Sequence, residues 1–226
     1  MELQRAQLLG AAAACGVVAL CAALGSVGGA PPAAADPPCD VVAAPGGSDT
    51  APGTAEQPLR TAQELLDALA PGETGCLRAG AYDDDRQLKL TVEGATLQSY
   101  PGERATLRGR IWVAAEGITV SGLDLDGSTA PPCAPDATCA ILPSPTITGD
   151  RAEFRDDNVT NHGRATCFLI GNPDYGVPRD VRITSNRVHD CGRRPAVNYD
   201  HGIYVADAAG TGRTDAHALR RSGIRR

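Results

Sequence analysis

Apolar residues recur along this chain with two different periods, and the change of period divides it. In one stretch they fall three and four apart: Ala62, Leu65, Leu66 and Leu69 share one face of a predicted helix. Thr61-Ala62-Gln63-Glu64 forms a capping box at its start. The Thr61 hydroxyl can accept from the Glu64 N–H while the Glu64 side chain reaches back, and Pro71-Gly72 ends the helix. Beyond it the alternation is every second residue, in short runs. Strands are expected at Gly75 to Ala79, Gln87 to Val92, Ala95 to Ser99 and Ala105 to Val113.

Further along, the pattern repeats loosely. Ile118 to Gly127 is one unit, Ala152 to Val159 a second, ending at His162-Gly163, and Val181 to Val188 a third, ending at Cys191-Gly192. Val120, Phe154 and Ile183 take one place in the unit, and Leu125, Val159 and Val188 another. Each set is expected to stack as an interior column of a solenoid, with the alternate residues facing solvent. A second strand position recurs as Ala137-Thr138-Cys139-Ala140-Ile141-Leu142, then Ala165-Thr166-Cys167-Phe168-Leu169-Ile170, with His201 to Val205 one coil later. Asn158 and Asn186 fall at or next to the turn between two strands. An Asn there tolerates the left-handed conformation and can bond its neighbour in the next coil.

Composition narrows the picture. Aromatic residues are only 4% of a chain that is 42% hydrophobic, so the core must be aliphatic. Gly (26) and Pro (17) favour a turn-rich β architecture over a bundle of helices. The net charge of −6, with Lys89 the only lysine, argues against nucleic acid or an anionic membrane as the main partner. A local cluster of arginines still leaves acidic sugars in play.

Both ends read differently from the middle. Arg5 precedes an apolar run from Leu8 to Leu24, Gly25 to Pro32 breaks it, and Ala33-Ala34-Ala35 offers small residues for cleavage. Residues 1–35 are therefore predicted to be a secretory signal peptide, and the mature protein to be secreted with no membrane attachment. Removing them leaves Cys39, Cys76, Cys133, Cys139, Cys167 and Cys191, an even number that suggests disulfides in an exported protein. Cys139 and Cys167 are expected in neighbouring coils, and Cys39–Cys76 with Cys133–Cys191 completes one pairing consistent with that. Residues 36–58 form a Pro-, Gly- and Ala-rich lead-in, and residues 59–210 carry the coils. Residues 211–226 hold Arg213, Arg220, Arg221, Arg225 and Arg226 without alternation, and read as the end of a solenoid cut short by a frameshift or truncation, or as a basic tail.

The opening segment carries a resemblance. Gly47-Ser48-Asp49, Pro52-Gly53-Thr54, Pro58-Leu59-Arg60-Thr61, Pro71-Gly72-Glu73-Thr74 and Arg78-Ala79-Gly80-Ala81-Tyr82 occur in that order. Together they resemble the start of the pectate-lyase-like right-handed parallel β-helix proteins. The resemblance implies an all-β fold in which the helix caps the open N-terminal end of the coils. It also implies a relation to enzymes that act on acidic polysaccharides by β-elimination, hydrolysis or C5 epimerisation.

Candidate chemistry clusters late in the chain. Tyr199, Asp200 and His201 stand together, close in the expected stack to His189-Asp190 and His162, and superficially resemble the acid–base set of alginate epimerases. Adjacent residues on a strand point to opposite faces, so Asp200 and His201 reach one substrate only where the backbone bends. Asp83-Asp84-Asp85 and Asp156-Asp157 offer carboxylates for a possible calcium ion. Three readings stay open: a carbohydrate-active enzyme, a non-catalytic surface or carbohydrate-binding solenoid, and a non-functional fragment.

Overall fold

The computed structural model describes residues 39–83, 87–127, 143–172, 174–192 and 201–206, and the backbone of 213–215. They lie in the second of two units, Asp36–Arg226. In chain order the elements are β1 (Val41–Ala43), α1 (Ala62–Ala68), β2 (Thr74–Leu77), β3 (Gly80–Asp83), β4 (Leu88–Leu90), β5 (Thr96–Ser99), β6 (Ala105–Arg108), β7 (Ile111–Val113) and β8 (Thr119–Ser121). Then follow β9 (Asp124–Asp126), β10 (Thr146–Ile147), β11 (Glu153–Arg155), β12 (Asn158–Thr160), β13 (Phe168–Ile170), β14 (Arg182–Thr184), β15 (Arg187–Val188), β16 (Ile203–Val205) and β17 (Arg213–Asp215).

From β2 onward each strand pairs, in parallel, with the strand three further on. Three sheets result, ordered β1-β2-β5-β8-β11-β14-β17, β3-β6-β9-β12-β15 and β4-β7-β10-β13-β16. That connectivity is a parallel β-helix, as the repeats predict. The expected columns form in register: Val120 pairs with Phe154 and Phe154 with Ile183, while Leu125 pairs with Val159 and Val159 with Val188. All six are buried. A third column, Leu90, Val113, Ile147 and Ile170, closes the core. Each such side chain contributes about 1.5–3 kcal/mol on leaving water.

α1 closes the N-terminal end. Ala62, Leu65, Leu66 and Leu69 are buried, and a Cβ on Gly75 would collide with Leu65, so the glycine lets the helix settle on β2. The capping box is half formed. The Glu64 N–H donates to Thr61 Oγ1 at 3.2 Å, but the Thr61 N–H donates to Asp49 Oδ1 at 2.8 Å rather than to Glu64.

Several sequence expectations need correction. β1 lies inside the stretch read as a lead-in; it is buried, pairs with β2, and is tied to it by a Cys39–Cys76 disulfide. The single strand expected from Ala105 to Val113 is two, because Gly109 (φ 124°) turns the corner between β6 and β7. β17 falls in the segment read as non-repeating, yet it pairs with β14. Parallel pairing is made by backbone groups, which a strand supplies without apolar alternation. The place beside β13 is taken by β10, where Thr146 pairs with Leu169 and Ile147 with Ile170; Ala137 to Leu142, expected there, lies outside the described residues.

The Cys39–Cys76 disulfide forms as expected, but the partners of Cys167 and Cys191 differ. Cys167 bonds Cys191, with Cα atoms 5.5 Å apart, so neither is free for the expected partners Cys139 and Cys133, which lie outside the described residues. The reason is the corner after β15. The Gly192 N–H donates to the Ala165 carbonyl at 2.7 Å, which draws Cys191 against the start of β13.

The corner between the first and second sheets separates the two asparagines. Gly122 (φ 67°), Asp156 (φ 59°) and Ser185 (φ 56°) make the left-handed turn in successive coils, so the residues after them, Leu123, Asp157 and Asn186, form the inward column. Asn186 is fully buried. Its Oδ1 accepts the Asp157 N–H at 2.8 Å and its Nδ2 donates to the Phe154 carbonyl at 2.8 Å, the coil-to-coil bond expected of it. Asp157 copies half of this: its Oδ1 accepts the Leu123 N–H at 2.9 Å, while Oδ2 is buried without a partner among the described residues. Burial pushes its carboxyl up to about 8, against the backbone hydrogen bond and nearby Arg104, which favour the charged form. Asn158 sits one residue further on and faces outward, where it serves a different purpose.

Candidate functional site

Outward residues of β3-β6-β9-β12-β15 alternate with the buried column Tyr82, Leu107, Leu125, Val159 and Val188, so they form two polar rows along the stack. One row runs Thr106, Asp124, Asn158, Arg187. The other runs Asp83, Arg108, Asp126, Thr160, and reaches His189 just past the end of β15.

His189 is the best-held ionisable side chain on this face. Its Nε2 lies 2.9 Å from Asn158 Oδ1 and its Nδ1 2.8 Å from Asp190 Oδ2. Arg187 also donates to Asn158 Oδ1, at 3.2 Å, which fixes the amide with its oxygen towards the histidine. Each ring nitrogen therefore has an oxygen within hydrogen-bond distance. Neighbouring residues on a strand cannot normally meet in this way. Here Asp190 leaves the strand in the left-handed conformation (φ 49°) and folds back onto the ring. The hydrogen bond from His189 holds the Asp190 carboxyl below the usual carboxylate range, assisted by the charges of His189 and His162.

His162 occupies the equivalent corner one coil earlier, also left-handed (φ 52°), and its Nε2 is 3.3 Å from Asp126 Oδ2. Arg104 brackets the other edge of the face, bonding Asp124 at 2.9 Å and the Leu123 carbonyl at 3.0 Å. Two histidines, four carboxylates and three arginines therefore share one face, able to hold an anionic chain and to move a proton.

Of the residues predicted from the sequence, His189 lies on this face. His201 does not: it stands at the entry to β16, on another sheet, with its ring stacked on Tyr204 at 5.2 Å. Tyr199 and Asp200 lie outside the described residues. Asn158, Asp126 and Arg187 were not singled out as chemistry, although their places beside the aligned interior residues mark them as outward-facing.

Among the described residues the candidate carboxylates do not gather as a calcium ion would require. Asp157 turns inward to the backbone, away from Asp156, and Asp83 is engaged by Arg108 at 3.4 Å; Asp84 and Asp85 lie outside the described residues. Among the described residues no three His, Cys, Asp or Glu side chains come together as a metal would require. Nor is any helix among them long and apolar enough to cross a membrane.

No family model matches the chain. Pectate lyase PEL9 of Emericella nidulans is 32% identical to it over 94 residues, which is 39% of this chain and 22% of that enzyme. A solved rhamnogalacturonan lyase covers 65% of the chain at 14% identity with a TM-score of 0.34, using 36% of its own length. The match thus spans about a fifth of the curated relative and about a third of the solved one. Over the matched residues the chain is similar to a pectate lyase, in keeping with the pectate-lyase-like parallel β-helix that its opening turns resemble.

Proposed function

We propose that this chain is part of an exported protein that acts on an acidic polysaccharide, with the face around His189 as its contact and proton-transfer surface. The observation that carries this reading is His189 held between Asn158 and Asp190 on a face that also presents Arg104 and Arg187. Elimination from a uronate needs its carboxylate neutralised, a base for the C5 proton and an acid for the leaving oxygen. The arginines suit the first task, and His189 suits a proton transfer once substrate displaces one of its partners. The disulfides belong to an oxidising compartment, which agrees with export after removal of residues 1–35.

One feature favours a second reading. Both ring nitrogens of His189 are already satisfied within the protein, as expected of a side chain that shapes a binding surface rather than one that reacts. Both readings are separated by incubating the protein with pectate, alginate and glycosaminoglycans while following unsaturated products by absorbance and new reducing ends. Turnover that His189→Ala reduces at least a hundredfold supports the enzyme. Binding without turnover supports the surface protein, and neither activity on any of these polymers removes both.

A further inference from the structure

A second feature lies at the other end of the same sheet. Between α1 and the corner joining β6 to β7 is a cleft of about 490 Å3, within the range of small-ligand sites. Arg60, Arg108 and Arg110 line it, with Asp49, Glu64 and Asp83.

These arginines are not equivalent. Arg60 is paired with Asp49 at 3.0 Å, and Arg108 with Asp83 at 3.4 Å. Arg110 has no ion pair or side-chain hydrogen bond among the described residues, and its Nε is shut away from solvent without an acceptor. Burial lowers its affinity for the proton, with no carboxylate among the described residues to offset that cost. An unpaired, part-buried guanidinium is costly, and its planar fork of donors matches a carboxylate in two parallel bonds. Asp49 is already committed to Arg60 and to the backbone N–H groups of Arg60 and Thr61, while Glu64 sits exposed at the rim.

We propose that this cleft binds the carboxylate of a single uronic-acid unit, with Arg110 as its anchor; the choice of sugar rests on the acidic-polysaccharide reading above. One uncommitted cation accounts for one negative charge, which favours a monoanion over a phosphate dianion. The cleft is separate from His189 itself. Arg108 on β6 and His189 after β15 are three strand steps apart in one row, about 15 Å at the usual strand spacing. A change at one therefore leaves the other intact.

The test is calorimetric titration of the folded protein with trigalacturonate and with its fully methyl-esterified counterpart, with the single Trp112, two residues beyond Arg110, as a fluorescence reporter. The acid form is expected to bind and perturb Trp112, the ester to bind at least tenfold more weakly, and Arg110→Gln to reduce acid binding at least tenfold. Arg110→Lys, which keeps the charge and loses the fork, should fall between. If Arg110→Gln fails to fold, the lysine variant and the ester comparison decide alone. Equal binding of acid and ester, unchanged binding in the arginine variants, or no binding to the wild-type protein each overturns the proposal. Carboxylate binding lost in His189→Ala but kept in Arg110→Gln would place the acid on the other face and overturn this site alone. Turnover lost in His189→Ala with Trp112 binding intact would uphold both sites, and absence of turnover with Arg110-dependent binding would sink only the enzymatic reading.

Discussion

The N-terminal and C-terminal coils are built from the same three sheets but turn their corners differently. Gly75, Leu97, Val120, Phe154 and Ile183 follow one another along the first sheet, and the steps between them are 22, 23, 34 and 29 residues. Among the described residues up to 127, every left-handed position is a glycine; from Arg151 onward Arg151, Asp156, His162, Asp180, Ser185 and Asp190 take that conformation. A side chain there costs about 1–2 kcal/mol, less for Asp, Asn and His. The early coils therefore turn cheaply, with glycine and no side chain at the turning position itself. The later coils accept strain, and that strain is what folds Asp190 onto His189 and carries His162 to Asp126.

The sharpest way to test this contrast is at the core. Both phenylalanines of the chain lie in the later coils, Phe154 and Phe168 meeting edge to face at 5.2 Å, while the early coils hold aliphatic side chains at the matching places. Phe154→Ala is expected to cost about 3–5 kcal/mol in denaturant unfolding, and Leu97→Ala, its counterpart two coils earlier, about 2–4. An equal or larger loss at Leu97 would show that the rings are not the keystone of the later half.

Next in size is Asp157. Between pH about 4 and about 8 the folded chain holds a proton that the unfolded chain has released, so stability should fall as pH rises, by about 1.4 kcal/mol per unit at most. Above about 8 both states are ionised and the slope from this group ends. Asp157→Asn should remove that slope and stabilise the protein by about 1–3 kcal/mol at pH 9, because Nδ2 can donate to the Val120 carbonyl as Asn186 does to that of Phe154. Thermal unfolding of both proteins across this pH range is the measurement; parallel curves would refute a neutral, buried acid.

The smallest effects bear most directly on the corners. Gly122→Ala meets no atom within 4 Å, so its cost of about 1 kcal/mol would come from φ alone. Ser185→Gly, at the same corner two coils later, should stabilise by about 1 kcal/mol or slightly less. If both changes destabilise, the later corners are not strained as argued.

How much of this was legible beforehand follows from which interactions are local. The Thr61 cap, the apolar face of α1 and the columns through Val120 and Leu125 were readable, because neighbours in the chain or a regular repeat decide them. The outward place of Asn158 was implicit in the same repeat, one residue from Val159. The proximity of Cys167 and Cys191 was not, since it depends on a corner made by the Gly192–Ala165 hydrogen bond. His201 was expected close to His189 in the stack, but a β-helix sends successive strands to different sheets.

From its own letters, then, this chain determines a capped stack of parallel coils, since alternation and repeat dictate which side chains leave water. Tertiary structure alone decides that, among the described residues, Asp157 is buried with one oxygen unpaired and Arg110 faces a cleft without a counter-ion, and that His189 lies between Asn158 and Asp190. Each of those depends on residues brought together from different coils, and a charge takes its meaning from the distance to its partners and to water, which no linear pattern records.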